Sequence, residues 1–264
     1  MDLDLTNKRA IVTGSSAGIG FAIAKGLAEV GAAVVINGRK PEALDAAKAR
    51  LVAAVPGAKV DAVVADLATA AGVKAFVAQA RDTDILVNNL GIFAPKPFLE
   101  IEDTDWQLFF ETNVMSGVRL SRHYLPKMLE RDWGRIVFIA SESGVNIPAE
   151  MIHYGMTKTA QLAISRGIAE SVAGTGVTVN AVLPGPTRSK GVGDFLREMA
   201  KNSDQSAETI EKDFIAQNRP SSLIRRFATP EEVANMVVFV CSEQASATTG
   251  SALRVDGGVI QYIV

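Results

Sequence analysis

Residues 9–31 read RAIVTGSSAGIGFAIAKGLAEVG, and this stretch decides the fold. Its first part, residues 9–13, is a short and mostly apolar run, which is typical of a buried strand. Three glycines follow within residues 14–20, and an Ala- and Leu-rich helical pattern over 21–30 ends at Gly31. The pattern predicts a strand, a glycine-rich turn and a helix in direct succession.

The turn in this unit has the chemistry of a phosphate site. Exposed N–H groups at the start of a helix attract an anion, and glycines let the backbone approach it closely. The spacing of Gly14, Gly18 and Gly20 is G-x-x-x-G-x-G. The commonest dinucleotide fingerprint is G-x-G-x-x-G, so one of the loops between glycines is longer here. A turn that is merely rich in small residues is the alternative, but the flanking strand and helix favour phosphate binding. We therefore predict that these glycines, with Ser16 and Ile19, bind a dinucleotide.

The end of the next predicted strand, 33–37, indicates which dinucleotide is bound. At this position a carboxylate would bind a free 2′-hydroxyl of the adenine ribose, and an Arg would accommodate a 2′-phosphate. The chain has no carboxylate here and instead carries Arg39 and Lys40. A guanidinium can bind a phosphate through two hydrogen bonds. The sequence therefore favours NADP(H), bound through Arg39, over NAD(H); a solvated loop before Pro41 is the alternative.

A second chemical motif lies further along the chain, where Ser141 precedes Tyr154 and Lys158. On a helix, residues four apart share one face, so the phenol and the ammonium are predicted to be neighbours. A nearby cation favours the phenolate, and lowering a tyrosine pKa from about 10 to about 7 needs about 4 kcal/mol. The motif thus predicts proton transfer to or from a substrate oxygen. Taken alone, Tyr-x-x-x-Lys is weak evidence, and the glycine turn upstream gives it weight.

In this order and at this spacing, the motifs resemble those of the short-chain dehydrogenase/reductase family over nearly the whole chain. Each motif alone is weak, but the complete series is specific. The resemblance implies that the protein interconverts a carbonyl and an alcohol. The matching segments are Thr13–Gly20, Asp66-Leu67, Asn88–Gly91, Thr112–Ser116, Ser141 with Tyr154 and Lys158, Asn180–Thr187 and Val255–Gly258.

The resemblance also implies residue roles. Tyr154 would be the general acid/base, and Ser141 would hydrogen-bond the reacting oxygen. Lys158 would lower the pKa of Tyr154 and, with it, contact the nicotinamide ribose, while Asn113 would fix a water that links Lys158 to solvent. The hydride chemistry would belong to the cofactor. Further cofactor contacts would come from Asp66, Leu67, Asn89, Gly91, Pro184, Gly185 and Thr187.

Two residues depart from the family pattern. Leu90 stands where a small Ala is usual, so the packing under the adenosine is expected to differ. Pro186 stands where a residue with a backbone N–H usually contacts the nicotinamide amide, and proline has no N–H. Thr187 is expected to take over that contact.

Composition and charge indicate which partners, cellular location and metal content to expect. The chain has 264 residues, 48% of them hydrophobic, and a net charge of −2, which argues against nucleic acid as a partner. Neither a signal peptide nor a membrane span is predicted, so a cytoplasmic location is expected. The one cysteine, Cys241, is predicted to be buried, and no metal motif is present. His153 is expected at the surface or at the rim of the site, and the resemblance implies a homotetramer or homodimer.

Alternating apolar strands and helical stretches predict a single α/β domain over residues 1–264, a doubly wound, Rossmann-like parallel sheet with helices on both faces. The longest helices are predicted at 104–131 and 150–174. Residues 188–222 break the alternation and are predicted to form a lid over the substrate, with helical patches at 194–199 and 207–215. The seven strands are predicted at 9–13, 33–37, 59–64, 84–88, 134–140, 177–183 and 252–256.

These observations predict an NADP(H)-dependent oxidoreductase. Within that class, a 3-oxoacyl-carrier-protein reductase and a sugar or polyol dehydrogenase both remain open. The rival from another class is an NADP-binding regulator without turnover. The complete set of Asn113, Ser141, Tyr154 and Lys158 argues against the regulator, because a sensor has no need of a tuned phenol.

Overall fold

The computed structural model describes residues 3–188, 193 and 206–263. Its centre is a seven-stranded parallel sheet in the order β3-β2-β1-β4-β5-β6-β7. Each predicted strand is present, with its ends within a residue of the predicted ones, because each is an apolar run closed by turn residues. The strands are β1 (Arg9–Val12), β2 (Ala33–Gly38), β3 (Val60–Val64), β4 (Ile85–Asn88), β5 (Gly134–Ile139), β6 (Val177–Pro184) and β7 (Ala252–Val255).

Helices cover both faces of the sheet and create two cores. On one face Leu27, Leu51 and Val237 are fully buried in one cluster, and on the other Phe76 and Tyr124 are fully buried in a second. Burying one such side chain contributes about 1.5–3 kcal/mol. Within the described ranges, the α-helices whose ends are observed are α1 (Gly18–Glu29), α2 (Pro41–Ala54), α3 (Ala70–Gln79), α4 (Asp103–Phe110), α5 (Ser116–Glu130), α6 (Ile152–Ser171), α7 (Ala207–Asn218) and α8 (Pro230–Cys241).

The order of the strands places a crevice between β1 and β4. The chain runs outward from β1 to β2 and β3 on one side, and from β4 onward on the other. Ligands of such sheets bind where this reversal occurs, beyond the carboxyl ends of the strands. The turn after β1 and the segment after β4 therefore flank the expected binding site.

The predicted helix 104–131 is not regular. Between α4 and α5, residues Glu111–Met115 form a π-helical turn, which is wider than an α-helical turn. Such turns are frequently found at functional sites. Asn113 lies at the middle of this one, so the irregularity falls on a residue with a predicted role.

The predicted lid is described only in part. Its second helical patch is observed as α7, and Phe214 of α7 packs against Phe227 with ring centroids 5.6 Å apart. Arg188 donates a hydrogen bond to Glu211 of this helix at 2.6 Å. The first predicted patch, 194–199, lies outside the described residues.

Two further features concern membranes and metals. Among the described residues no helix is long and apolar enough to cross a bilayer. No group of three or more metal-ligating side chains occurs within the same part of the chain.

Cys241 is buried as predicted, and burial raises the pKa of its thiol to about 12, which makes it unreactive.

Candidate active site

The glycine-rich turn is braced by Asn89, which directly follows β4. The Nδ2 of Asn89 donates hydrogen bonds to the carbonyl oxygens of Thr13 at 2.8 Å and Gly14 at 3.1 Å. Its backbone N–H also donates to Thr13 Oγ1 at 2.9 Å. A Cβ on Gly20 would lie 2.4 Å from Asn89 Nδ2 and 2.6 Å from the Gly14 oxygen, so no other residue fits there. The turn and the end of β4 are thus one connected unit.

This turn fits a phosphate group. Gly14 and Gly18 have φ angles of +60° and +58°, a region that favours glycine. The helix α1 begins at Gly18, and its N-cap residue Ala17 makes no side-chain hydrogen bond to the first turn. The N–H groups of that first turn are therefore left to bind an anion. These residues suit the pyrophosphate of a dinucleotide.

Arg39 stands at the outer end of the crevice. It follows β2 directly and is exposed, and it makes no ion pair within the described parts of the chain. A Cβ on Gly38 would lie 3.6 Å from Ser16 Oγ, so the residue before Arg39 touches the glycine-rich turn. An exposed guanidinium that directly follows a residue in contact with Ser16 suits a 2′-phosphate.

The two residues after β3 differ in their surroundings. Asp66 is exposed, and its Oδ1 accepts a hydrogen bond from the Ala68 backbone at 3.1 Å. The side chain of Leu67 is 1% exposed and packs within the second core. Any contact of Leu67 with a cofactor would therefore come from its backbone.

Tyr154 and Lys158 lie one turn apart on α6, as predicted. Lys158 is buried, and its Nζ lies 5.6 Å from the centre of the Tyr154 ring. Ser141 follows β5 in an extended conformation, and its Oγ accepts a hydrogen bond from the Ser143 backbone at 3.1 Å. The amine is thus held inside the cleft, beside the phenol.

The expected lowering of the Tyr154 pKa is wrong for the protein chain as it stands. Burial raises the pKa of Tyr154 to about 12, although a hydrogen bond with Ser141 and the charge of Arg219 lower it. Burial also lowers the pKa of Lys158 to about 7, so this amine is only partly charged at neutral pH. The sequence argument considered the attraction between the two groups and left out the cost of burying both.

Asn113 is bound to the rest of the site by its side chain. Its Oδ1 accepts from the Ile92 backbone at 2.8 Å, and its Nδ2 donates to the Ile92 oxygen at 3.0 Å and to Thr157 Oγ1 at 3.0 Å. A Cβ on Gly91 would lie 3.5 Å from Lys158 Nζ and 3.6 Å from Asn113 Oδ1. The side-chain amide therefore ties the segment after β4 to α6.

The segment after β6 is held by residues beyond the lid. The backbone of Ala228 donates to the Pro186 oxygen at 2.8 Å and accepts from Arg188 at 2.8 Å. Thr187 is buried and donates its hydroxyl to the Gly185 oxygen at 2.9 Å. Among the described residues, none accepts a hydrogen bond from the backbone N–H of Thr187. That group suits the contact that Pro186 cannot make.

Leu90, which replaces the small Ala usual in the family, is partly buried and packs against the second core. Its Cδ1 lies 3.5 Å from where a Cβ of Gly14 would stand, and its backbone N–H donates to Thr13 Oγ1 at 2.9 Å. The larger residue thus takes up space directly under the glycine-rich turn while the backbone contact is retained.

A cavity of about 400 Å³ occupies the inner part of the site and reaches the glycine-rich turn at Ile19. It connects the helix start after β1 with the phenol and amine of α6, and its wall includes Phe214 of the lid and Phe227 beyond it. Of the predicted site residues, Gly14, Ser16, Gly18, Gly20, Arg39, Asp66, Leu67 and Asn113 are not on its wall. Those on its wall are Ile19, Asn89, Gly91, Ser141, Tyr154, Lys158, Pro184, Gly185 and Thr187.

A buried ion pair on this wall was not predicted. Arg219, which follows α7, donates through Nε to Oε1 of Glu142 at 2.8 Å. The Glu142 side chain is 4% exposed, and its Oε2 has no hydrogen-bond partner among the described residues. Burial raises the pKa of Glu142, while Arg219 opposes that rise. The sequence signal was an acidic residue directly after Ser141, but its partner lies 77 positions away.

The placement predicted for His153 is wrong. The residue is 1% exposed and packs against Phe109, with ring centroids 4.0 Å apart. Its ring therefore faces α4 and not the cavity, because adjacent residues on a helix point in different directions. Burial lowers the pKa of His153, which favours the neutral imidazole.

Comparison with known proteins agrees with this geometry. A family model described as Enoyl-(Acyl carrier protein) reductase matches residues 14–260. The uncharacterized oxidoreductase YvrD of Bacillus subtilis (strain 168) is 49% identical over 267 residues, with 100% of each chain covered. The 3-oxoacyl-[acyl-carrier-protein] reductase FabG of Aquifex aeolicus (strain VF5) is 36% identical, covering 98% of this chain and 100% of its own.

One solved structure resembles the chain over its whole length. The crystal structure of L-sorbose reductase from Gluconobacter frateurii, complexed with NADPH and L-sorbose, is 36% identical. It covers 100% of both chains with a TM-score of 0.95.

A parallel sheet with a phenol and an amine at its carboxyl edge, together with these relatives, defines an oxidoreductase that acts on carbonyl or alcohol groups. The chain belongs to the short-chain dehydrogenase/reductase family. The resemblance found in the sequence is thereby confirmed, as is the doubly wound fold.

Proposed function

We propose that this protein is an NADP(H)-dependent oxidoreductase in which Tyr154 is the general acid/base. The observation that carries the proposal is the shared cavity, in which Ser141, Tyr154 and Lys158 face the same space as Ile19 at the helix start. A cofactor bound along the crevice would supply the hydride. The experiment that tests the proposal is a panel of ketones and alcohols offered with NADPH, NADH and their oxidised forms, with turnover measured by nicotinamide absorbance.

The chain's own residues divide the remaining work. Tyr154 gives its proton to the substrate oxygen during reduction and takes one during oxidation. Ser141 orients that oxygen, and the charged form of Lys158 favours the phenolate. Arg39 and Ser16 hold a 2′-phosphate, and the turn from Gly14 to Gly20 holds the pyrophosphate. The apolar wall, with the rings of Phe214 and Phe227, excludes water from the cleft.

A regulator without turnover is less well supported. A sensor of NADP(H) needs only the groups that bind the cofactor. This chain also buries the Lys158 amine beside the Tyr154 phenol. Keeping the amine out of water is costly, and ionisable groups with pKa values shifted in this way cluster at sites of catalysis. The substrate panel distinguishes the two, because a regulator would bind NADPH and oxidise it with no member of the panel.

The buried ion pair favours a hydroxylated substrate. FabG and L-sorbose reductase are both 36% identical to the chain, so overall identity does not choose between an acyl chain and a sugar. Glu142 places a buried carboxylate next to the predicted site of the reacting carbonyl, with Oε2 unpaired within the described residues. Because Glu142 and Arg219 both line the cavity, a substrate hydroxyl can bond with this charged pair, whereas an acyl chain has no polar group to offer it. We therefore propose a small polyhydroxylated ketone or the corresponding polyol.

Replacing Glu142 tests this choice. In Glu142→Gln the side chain keeps its shape but loses its charge, and we expect the KM for L-sorbose to rise about tenfold, since a hydrogen bond to a charged group is lost. The matched control is Glu150→Gln, because Glu150 lines the same cavity but is 47% exposed and lies 3.6 Å from Arg219. Steady-state kinetics with L-sorbose and with 2-hexanone, which lacks hydroxyls, provide the measurement. Equal effects on both ketones would contradict the assignment.

Replacing Arg39 tests the cofactor. In Arg39→Ala we expect NADPH to bind about 10- to 100-fold more weakly, because a charge-assisted hydrogen bond to the 2′-phosphate is lost. The affinity for NADH should stay the same. The control is Lys48→Ala, which removes one positive charge from α2 about two turns beyond its start. Nicotinamide fluorescence titration measures the affinities; an unaltered protein that binds both cofactors equally would refute the charge argument.

We also propose that the protein assembles into a homotetramer or homodimer. Large apolar side chains are exposed near α4, including Leu99 at 94%, Leu108 at 53% and Phe110 at 40%. Large contiguous apolar patches on a protein surface mark interaction sites, and side chains of this kind would contribute to one. Light scattering coupled to gel filtration measures the mass, and Leu108→Glu is expected to lower it; a monomer would refute the proposal.

A further inference from the structure

Gln161 lies one turn after Lys158 on α6 and is 1% exposed. A buried amide needs partners for both of its ends. Its Oε1 accepts a hydrogen bond from Lys158 Nζ at 3.1 Å, and its Nε2 donates one to the backbone oxygen of Asn113 at 2.6 Å. An ammonium only donates and a carbonyl only accepts, so these partners fix the orientation of the amide.

The partner carbonyl belongs to the π-helical turn. The side-chain amide of Asn113 is already bonded to Ile92 and Thr157, so the backbone oxygen is the atom that meets Gln161. Lys158 is held from its other side by the Ile139 oxygen at the end of β5, at 2.8 Å. A continuous chain of hydrogen bonds thus runs from the π turn through Gln161 to the amine and on to the sheet.

We propose that Gln161 is a positioning residue for the reaction, which holds the Lys158 amine in the cleft and couples it to Asn113. The inference rests on the proposed function, since the place of the amine matters to turnover only if Tyr154 exchanges a proton. Without Gln161, the amine would keep one of its two protein acceptors and would be free to rotate away from the phenol. The roles carried over from the family resemblance include no residue at this position.

The electrostatic surroundings make the effect measurable. Burial lowers the pKa of Lys158 to about 7, and the hydrogen bond to Gln161 favours the charged form against that burial. The ionisable groups on the cavity wall, besides Lys158, are Tyr154 on the same helix, Glu142 after β5, Glu150 before α6 and Arg219 after α7. Of these, Glu142 and Arg219 act on Tyr154. Asp256, after β7, acts on Glu142. Because the Lys158 amine is shielded from water, its pKa is expected to respond clearly to a substitution at Gln161.

Two substitutions are expected to shift this pKa in opposite directions. Gln161→Met keeps the length and removes the acceptor, so the charged amine loses a partner and its pKa falls by about one unit. Gln161→Glu keeps the shape and adds a negative charge, so the pKa rises by about the same amount. A residue that only fills space would not produce shifts of opposite sign.

The measurement is a pH titration of the full-length protein labelled with ¹³Cε-lysine. One resonance is expected to titrate near neutrality and to be missing from Lys158→Arg, which assigns it. Reduction with NADPH needs the protonated amine, so its rate falls as the pH rises through the pKa of Lys158, and this basic limb should move with the resonance. The kcat of Gln161→Met is expected to fall about tenfold. Gln79→Met makes the same change on the exposed end of α3 and should alter neither quantity.

Each outcome decides the question. Opposite shifts in the two variants support the inference; no shift, or shifts in the same direction, overturn it. If Gln161→Met does not fold, Gln161→Glu decides alone, since an unchanged lysine titration there overturns the inference. If the unaltered protein reduces no carbonyl, the proposed function fails, and the titration still shows whether Gln161 holds the amine.

Discussion

The variant Tyr154→Phe is expected to lose nearly all turnover. Removing the phenol oxygen removes the proton donor for the carbonyl, and general acid–base groups contribute about 10²- to 10⁴-fold to a rate. The ring remains, so the packing of Phe93 against it, with centroids 6.3 Å apart, is retained. The affinity for NADPH should therefore stay close to that of the unaltered protein. Nicotinamide absorbance measures the rate, and fluorescence titration measures the binding.

The matched control is Tyr262→Phe, which makes the same chemical change on a side chain that is 62% exposed. It should leave both rate and affinity unchanged. If Tyr154→Phe keeps most of its activity while Tyr262→Phe behaves as the unaltered protein, another group moves the proton and the proposed mechanism is wrong.

The variant Gly20→Ala is expected to disable the glycine-rich turn. The added methyl would stand 2.6 Å from the Gly14 oxygen and 2.4 Å from Asn89 Nδ2, both of them fixed atoms. The start of α1 must then shift, which is expected to destabilise the protein by about 1–3 kcal/mol. Because the same shift moves the N–H groups that bind phosphate, we expect NADPH to bind at least about tenfold more weakly. Chemical denaturation and fluorescence titration provide the two values.

The control for this change is Gly167→Ala in α6, where a Cβ would meet nothing within 4 Å. It should stabilise the protein by about 0.5–1 kcal/mol, since glycine is unfavourable inside a helix, and leave the affinity unchanged. Wild-type affinity in Gly20→Ala would show that the turn does not bind the pyrophosphate.

The sheet could be predicted from the sequence because its information is local. Each strand is an apolar run, and turn residues such as Gly14 and Gly31 mark where the elements stop. The same holds for Tyr154 and Lys158, whose spacing on one helix fixes their proximity. The ends of α6 differ from the predicted 150–174 by two or three residues, since helix termini depend on capping contacts.

The missed features all depend on tertiary contacts. The partner of Glu142 is far away in sequence, and the raised pKa of Tyr154 depends on how completely other elements enclose it. The sequence did carry one unused signal, since Gln161 is a polar residue three positions after Lys158 on the same buried helix face. His153 was a misleading signal, because its position next to Tyr154 in the sequence suggested a place at the rim of the site. Its ring instead packs on Phe109.

The widened turn at Glu111–Met115 has a geometric consequence for how this chain tolerates length changes. A π-helical turn holds one more residue than an α-helical turn, so loss of any single residue here would close it to a regular turn and change which residue of the segment faces α6. Asn113 would swing away from Thr157 and Gln161 together. The position of Asn113 therefore depends on the number of residues in this turn as well as on their identity.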